Sequence, residues 1–350
     1  MLKRLLIVSA IGLASAGLAR AAASIVVAAV NSTPQAKAKA DLVCTGKADQ
    51  VKLLKSFRYG LKKVDQALEA NPATRLPDQC VIGHSVEWLP GDYYLSGTLT
   101  IPDGFDCAIK AEGARFHLLP KKGDAVVLEG MCRCRYAFGT IFTDTDGAAL
   151  RVRPTAAMRA LMSVVGFTGL IGTRQRGIGL CVDSSLENAC TLKFEGTDIN
   201  GFDIGIFVPD ARPAQPGKAG SGKTDTNWYW CSYIRNCHTC IWEQQRGIDD
   251  EVWFVNVDAD IPDSVAIRTA GAYGRWFVIM GTWGWFSGPH AKANKTRSLV
   301  LDPGAMNNVI EVTPPLSNFA PAEDNSGNDT NVVLASNRAP LAGHNIIRNK

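Results

Sequence analysis

The sequence predicts an all-β protein wound as a parallel β-solenoid, and three observations point there. The first is a loose repeat in the second half of the chain. Leu192-Lys193-Phe194-Glu195 leads to Asp198-Ile199-Asn200-Gly201-Phe202-Asp203-Ile204-Gly205-Ile206-Phe207. Trp228-Tyr229-Trp230 leads likewise to Tyr233-Ile234-Arg235-Asn236-Cys237-His238-Thr239-Cys240-Ile241-Trp242, and Val252-Trp253-Phe254 to Ser264-Val265-Ala266-Ile267. Further units open at Trp276 and Ser298. Such spacings, about 22–36 residues, suit coils joined by loops of unequal length. The second is a lack of tight two-residue turns and of crossover helices between strand runs, which disfavours a β-sandwich. The third is a lone amphipathic stretch, residues 50–68, ahead of all the repeats.

The chain opens with an export signal over residues 1–21. Lys3 and Arg4 precede an apolar core at 5–18, and Ala19-Arg20-Ala21 fits a small-x-small cleavage site. That core is too short to span a bilayer comfortably. A secreted or periplasmic protein without stable membrane insertion after cleavage is therefore expected. Residues 22–40 read as a flexible leader, 41–313 as the solenoid with its cap, and 314–350 as a tail or C-terminal cap in which Val332-Val333-Leu334 and Ile346-Ile347 either add last strands or cover the open end. Without the signal, 34 basic residues face 33 acidic ones, a balance of about +1. The basic residues are scattered, which argues against nucleic acid as a partner.

The start of the solenoid carries a family pattern. Asp41-Leu42-Val43-Cys44-Thr45-Gly46-Lys47-Ala48-Asp49 enters the amphipathic stretch. Val86-Glu87-Trp88-Leu89-Pro90-Gly91-Asp92-Tyr93-Tyr94-Leu95 and Leu99-Thr100-Ile101-Pro102-Asp103-Gly104 follow. The order of helix, strand, Pro-Gly turn, strand, Pro-Asp-Gly turn and strand resembles the start of pectate-lyase-like right-handed parallel β-helices. Ala48-Asp49 stands where that family has paired Asp residues. The resemblance covers about a quarter of the chain. It implies a right-handed parallel β-helix with an N-terminal capping α-helix, and a polysaccharide as the partner.

All ten cysteines follow the signal. An even count in an exported chain suggests disulfides. Cys44 and Cys80 flank the capping stretch and are expected to pair, clamping it to the first coil. Others are expected inside the solenoid as small apolar residues. Cys231 with Cys237-His238-Thr239-Cys240 lacks the second spaced pair of a zinc site.

Aligning the repeats on Ile206, Ile241 and Ile267 gathers polar residues. Asn200 falls beside Arg235 and near Asp260. Asp203 falls beside His238 and near Asp263, and Asp198 near Tyr233 and Asp258. Side chains in register on successive coils lie one strand spacing apart. Arg235, His238, Asp260, Asp203 and Asp263 are thus the candidate catalytic residues. The resemblance implies an Arg or Lys base with acidic Ca²⁺ ligands, for which Asp198 and Asp258 are the candidates. His238 is the easier proton acceptor near neutral pH. In a glycoside hydrolase, two carboxyls among Asp203, Asp260 and Asp263 would flank the bond. Asp and Asn also favour solenoid turns by bonding their own backbone, the alternative reading of the same cluster. Aromatics crowd this half of the chain, and alternation turns about half of them outward, where sugar rings stack. Trp242, Tyr233, Trp283 and Trp285, with Arg268, are the candidate substrate-binding residues. The leading expectation is an exported lyase that cleaves a uronate-containing glycan by β-elimination. A glycoside hydrolase on the same fold and a non-catalytic glycan-binding or structural β-helix are the alternatives.

Overall fold

Short runs of β-branched and aromatic residues cannot bury an inner face alone, so each coil needs its neighbours. The computed structural model describes residues 24–64, 76–210, 224–245, 251–258, 261–270, 276–279, 295–312, 322–327, 330–335 and 346–349. It is a right-handed parallel β-helix. Among the described residues its three sheets hold 14, 9 and 7 strands, and successive coils are neighbours in each. Four successive coils in the middle run from a two-residue strand of the third sheet into a long strand of the first, then into a five-residue strand of the second. In one coil these are Met131–Cys132, Arg135–Thr143 and Ala148–Val152.

The corner between the third and first sheets recurs with one backbone device. Asp106, Arg133, Met162, Thr191 and Thr226 each follow a third-sheet strand with φ between +47° and +56°. The next residues, Cys107, Cys134, Ser163, Leu192 and Asn227, are buried. The turn thus drives one side chain per coil into the interior. Inside the second sheet Leu99, Val126, Leu150, Leu180, Ile206, Ile241, Ile267 and Leu299 stand in consecutive register. All eight are buried. The predicted Ile206–Ile241–Ile267 alignment is the middle of this stack.

The amphipathic stretch caps the first coils, but its helix is Gln50–Arg58 and shorter than expected. Leu61–Lys63 instead pairs antiparallel with Gln79–Ile82. Leu53 and Phe57 are buried beneath the helix. Asp49 Oδ1 accepts from the Thr45 and Gly46 amides, and its Oδ2 from the Tyr94 amide. Trp88 Nε1 donates to Ser56 Oγ.

Two expectations are corrected. Residues 24–40 are ordered, not a free leader: Ile25–Ala28 pairs in parallel with Leu42–Val43 and Ser85–Trp88. Its apolar run covers what would otherwise be an open sheet edge. Cys44 and Cys80 are not bonded, and all ten cysteines are free thiols. Cys44 follows Leu42–Val43 at the edge of the first sheet, whereas Cys80 lies in Gln79–Ile82 of the third. Burial pushes these two thiols up to about 12 and about 11. Hydrogen bonds and apolar packing therefore hold the helix. Past residue 314 the reading of added strands holds: Val332–Ala335 and Ile346–Asn349 extend the first sheet.

A stability prediction arises at the cap. Burial pushes the Asp103 carboxyl up to about 6. A raised folded value favours the neutral form, so its contribution is complete below about pH 4 and lost as pH climbs through 6. Asp103→Asn keeps an acceptor for the Gly130 amide, 2.8 Å away. Discounted for partial exposure, the variant should gain about 1 kcal/mol at pH 7. Urea midpoints at pH 7 and pH 4 check this. Equal midpoints for the two proteins at pH 7 would refute it.

Candidate functional site

The exterior of the first sheet carries the predicted polar residues. Lys193–Asn200, Trp228–Arg235 and Val252–Asp258 lie side by side there. Along them Phe194, Ile199, Tyr229, Ile234, Trp253 and Val257 turn inward and are buried. Asp198 stands opposite Tyr233, and Asn200 opposite Arg235, which stands opposite Asp258. A register shift between Cys231 and Ile234 sets Tyr233 off the regular pleat.

These residues form one contact set. Arg235 Nε and Nη2 donate to Asp198 Oδ1 and Oδ2 at 3.1 and 3.0 Å. The guanidinium carbon lies 5.2 Å from the centre of the Tyr233 ring. Tyr233 Oη donates to Asp258 Oδ2 at 3.2 Å. Asn236 Nδ2 donates to Asn200 Oδ1 at 2.9 Å. The Arg235 side chain is 41% exposed, and Asp258 only 4%. Asp198 and Asp258 do not fit a Ca²⁺ site. A guanidinium occupies both oxygens of Asp198, and a second cation there would face its charge. Among the described residues no three His, Cys, Asp or Glu side chains gather as metal ligands.

The remaining candidates lie elsewhere. His238 and Asp203 meet at the corner between the first and second sheets, Nδ1 to Oδ1 3.3 Å, both well exposed. Asp263 is an exposed turn residue with φ +59°, the conformation Asp tolerates in turns. Asp260, Trp283 and Trp285 lie outside the described residues. Trp242 and Arg268 stand opposite each other in the second sheet, on another face. Arg268 lies 4.6 Å over the Trp242 ring and forks onto Asp302 at 2.8 and 3.1 Å. With Asp210 and Gln244 they line a cleft of about 350 Å³.

The aromatic candidates from the sequence are Trp242, Tyr233, Trp283 and Trp285, without Trp228 or Trp230. The structure offers Trp228 and Trp230, 48% and 49% exposed, on the strand that ends in Arg235. Phe254 lies beside both, with ring centres 6.3 and 5.6 Å away. The signal was present in the alternation Trp228-Tyr229-Trp230, whose middle ring is buried. No protein-family model matches the chain, and no curated protein or solved structure is significantly similar to it.

Proposed function

We propose that the protein is a polysaccharide-active enzyme that cleaves a uronate-containing glycan by β-elimination on the exterior of the first sheet. The observation carrying this reading is the continuity of one strand face. The platform of Trp228, Trp230 and Phe254 leads directly to the Tyr233–Arg235 cluster. Flat aromatic faces suit the apolar faces of sugar rings. In β-elimination a base takes the proton α to the carboxylate, the bond to the leaving oxygen breaks, and that oxygen gains a proton. Charge builds on the carboxylate, and a positioned guanidinium is the group to meet it. Arg235 is held for that task by Asp198. It is a poor base, since its proton leaves only above about pH 12. Tyr233 supplies the nearest hydroxyl, and Asp258 orients it.

Hydrolysis fits less well. It needs two available carboxyls flanking the bond. At the Arg235 cluster Asp258 is buried and Asp198 is committed to Arg235, while the hydrolase candidates Asp203 and Asp263 lie outside it. An export signal and a near-neutral chain are consistent with action on extracellular or cell-envelope glycan.

The chain from residue 22 onward is incubated with a panel of uronate polysaccharides, with Ca²⁺ and with chelator. Absorbance of the unsaturated product is expected with at least one of them, undiminished by chelator. No such absorbance with any uronate would remove the lyase reading. New reducing ends without it would mean hydrolysis, and binding without products a non-catalytic glycan binder. Trp230→Ala should raise KM for the polymer about fivefold with kcat little changed, as loss of a stacking contact of about 1 kcal/mol predicts. Unchanged KM would take Trp230 out of the binding surface.

A further inference from the structure

Asp92, Arg115 and His117 form a second charged constellation, about 19 Å from Arg235 at four strand spacings. His117, Phe142, Ile171, Asn200 and Arg235 are consecutive members of one exterior column. Asp92 stands opposite Arg115 in the adjacent column, and Tyr94 opposite His117. The Asp92 carboxylate is the hub. Its Oδ1 receives Arg115 Nε at 2.7 Å and lies 2.8 Å from His117 Nε2. Its Oδ2 accepts from Arg115 Nη2 at 2.7 Å and Asn31 Nδ2 at 2.6 Å. These donors, Arg115 foremost, hold it well below the usual carboxylate range.

That arrangement fixes the imidazole. An ionised carboxylate only accepts, so Nε2 carries a proton and Nδ1 bears the lone pair of the neutral ring. Tyr94 stacks on one side with ring centres 5.1 Å apart, and Phe142 at 5.0 Å and 6°. The ring cannot turn to exchange its nitrogens. Among the described residues no protein group is bonded to Nδ1 or to Arg115 Nη1. The Arg115 side chain is more than half exposed, and that of His117 about a third. The two residues are two apart on one strand face, about 7 Å along it. An orientation fixed this firmly, with Arg115 Nη1 as an outward donor and Nδ1 becoming a second one when the ring is protonated, is what an anion site requires.

We infer that Arg115 and His117, organised by Asp92, form a second anion-binding site for a carboxylate-bearing ligand, and that it tightens when His117 gains its second proton. With the imidazole neutral, Asp92 and Arg115 cancel. With it protonated, the cluster carries a net positive charge and Nδ1 becomes a donor. The other groups around the cluster bring no formal charge to this balance: Asn31 on Asp92, Thr140 opposite Arg115, and the Tyr94 and Phe142 rings stacked on the imidazole. The inference does not require the protein to cleave anything.

The experiment follows the imidazole nitrogens of histidine-labelled protein by long-range ¹H–¹⁵N NMR, with sodium glucuronate as the probe. Sodium chloride at matched ionic strength is the control. The free protein should show the proton on Nε2 of His117. Glucuronate should move the Nδ1 signal saturably, and chloride should not. Apparent affinity should rise about fivefold once acid has put the second proton on His117, as its own nitrogen signals report, the contribution of one exposed charge. Arg115→Ala and His117→Gln should each abolish the response, and Arg235→Ala should leave it intact. No saturable shift, or one equal to that of chloride, overturns the site. Loss of the response in Arg235→Ala also overturns it, because the probe would then be bound at the other cluster. If His117→Gln fails to fold, the exposed Arg115→Ala variant decides. Neither result depends on finding products in the glycan panel, so the two readings fail separately.

Discussion

Arg235→Ala is expected to lower kcat on a uronate polymer by about a hundred- to thousandfold and to shift the melting temperature by only a degree or two. The first figure is the usual cost of removing one positioned donor from developing charge. The second follows from exposure. The Arg235–Asp198 pair is part-exposed on a sheet surface, and such pairs contribute about 1 kcal/mol or less. The freed Asp198 can take up water, so no charge is left stranded in the core. The loss should fall on kcat, because neutralising the carboxylate matters most as its proton leaves. Arg235→Lys keeps the charge and loses the fork, and should recover only part of the rate. Tyr233→Phe keeps the ring under the guanidinium and removes the hydroxyl, and should lose kcat without losing polymer binding. Steady-state kinetics beside thermal melts separate these outcomes. A fully active Arg235→Ala would remove the residue from the chemistry. A variant that unfolds would show the pair to be structural.

The register of the second sheet was legible because its strands share one inward aliphatic position, with Ile206, Ile241 and Ile267 at corresponding places in the repeat. The first sheet was legible only as far as its corners have equal length. Three residues, 236–238, separate Trp228–Arg235 from Thr239–Glu243, and three, 201–203, occupy the preceding corner. The next corner holds six, 259–264. An alignment carried six residues backward from Ile267, as from Ile206 to Asn200 and from Ile241 to Arg235, therefore lands on Ile261 next to Asp260, whereas Asp258 is the residue opposite Arg235. Asp203 beside His238 came out correctly because each is the last residue of a three-residue corner. His117 had no visible partner in the sequence. Its carboxylate lies 25 residues upstream on a strand whose pairing follows a Pro-Gly turn, and nothing local announces that register. The cysteines failed as a disulfide signal because a solenoid interior uses them as small apolar residues. Cys107 and Cys134 occupy the corner positions that Ser163, Leu192 and Asn227 fill in later coils.

The largest loss of stability is expected from Trp253→Ala, at about 4 kcal/mol. Trp253 is fully buried and lies 3.7 Å from the Tyr229 ring at 8°, and Tyr229 in turn lies 5.0 Å from Phe194. Three coils share this stack, so removing its last described ring leaves a cavity that neighbouring strands, hydrogen-bonded above and below, cannot close. A solenoid couples each coil mainly to its nearest neighbours. The damage should therefore be local. Amides in Val252–Asp258, Val265–Thr269 and Arg297–Leu301 should lose hydrogen-exchange protection first, while those in Val126–Leu128 and Ala148–Val152 keep theirs. Asp258 lies on the damaged strand, so its bond to Tyr233 should loosen and activity should fall with the local opening. Trp253→Phe fills most of the space and should cost about 1–2 kcal/mol. Denaturant unfolding of both variants, read beside hydrogen exchange, tests the argument. A change below 1 kcal/mol for Trp253→Ala would mean that the stack is not a source of cohesion. A loss of protection spread evenly over all coils would mean that the solenoid unfolds as one unit, and nearest-neighbour coupling would then be the wrong description.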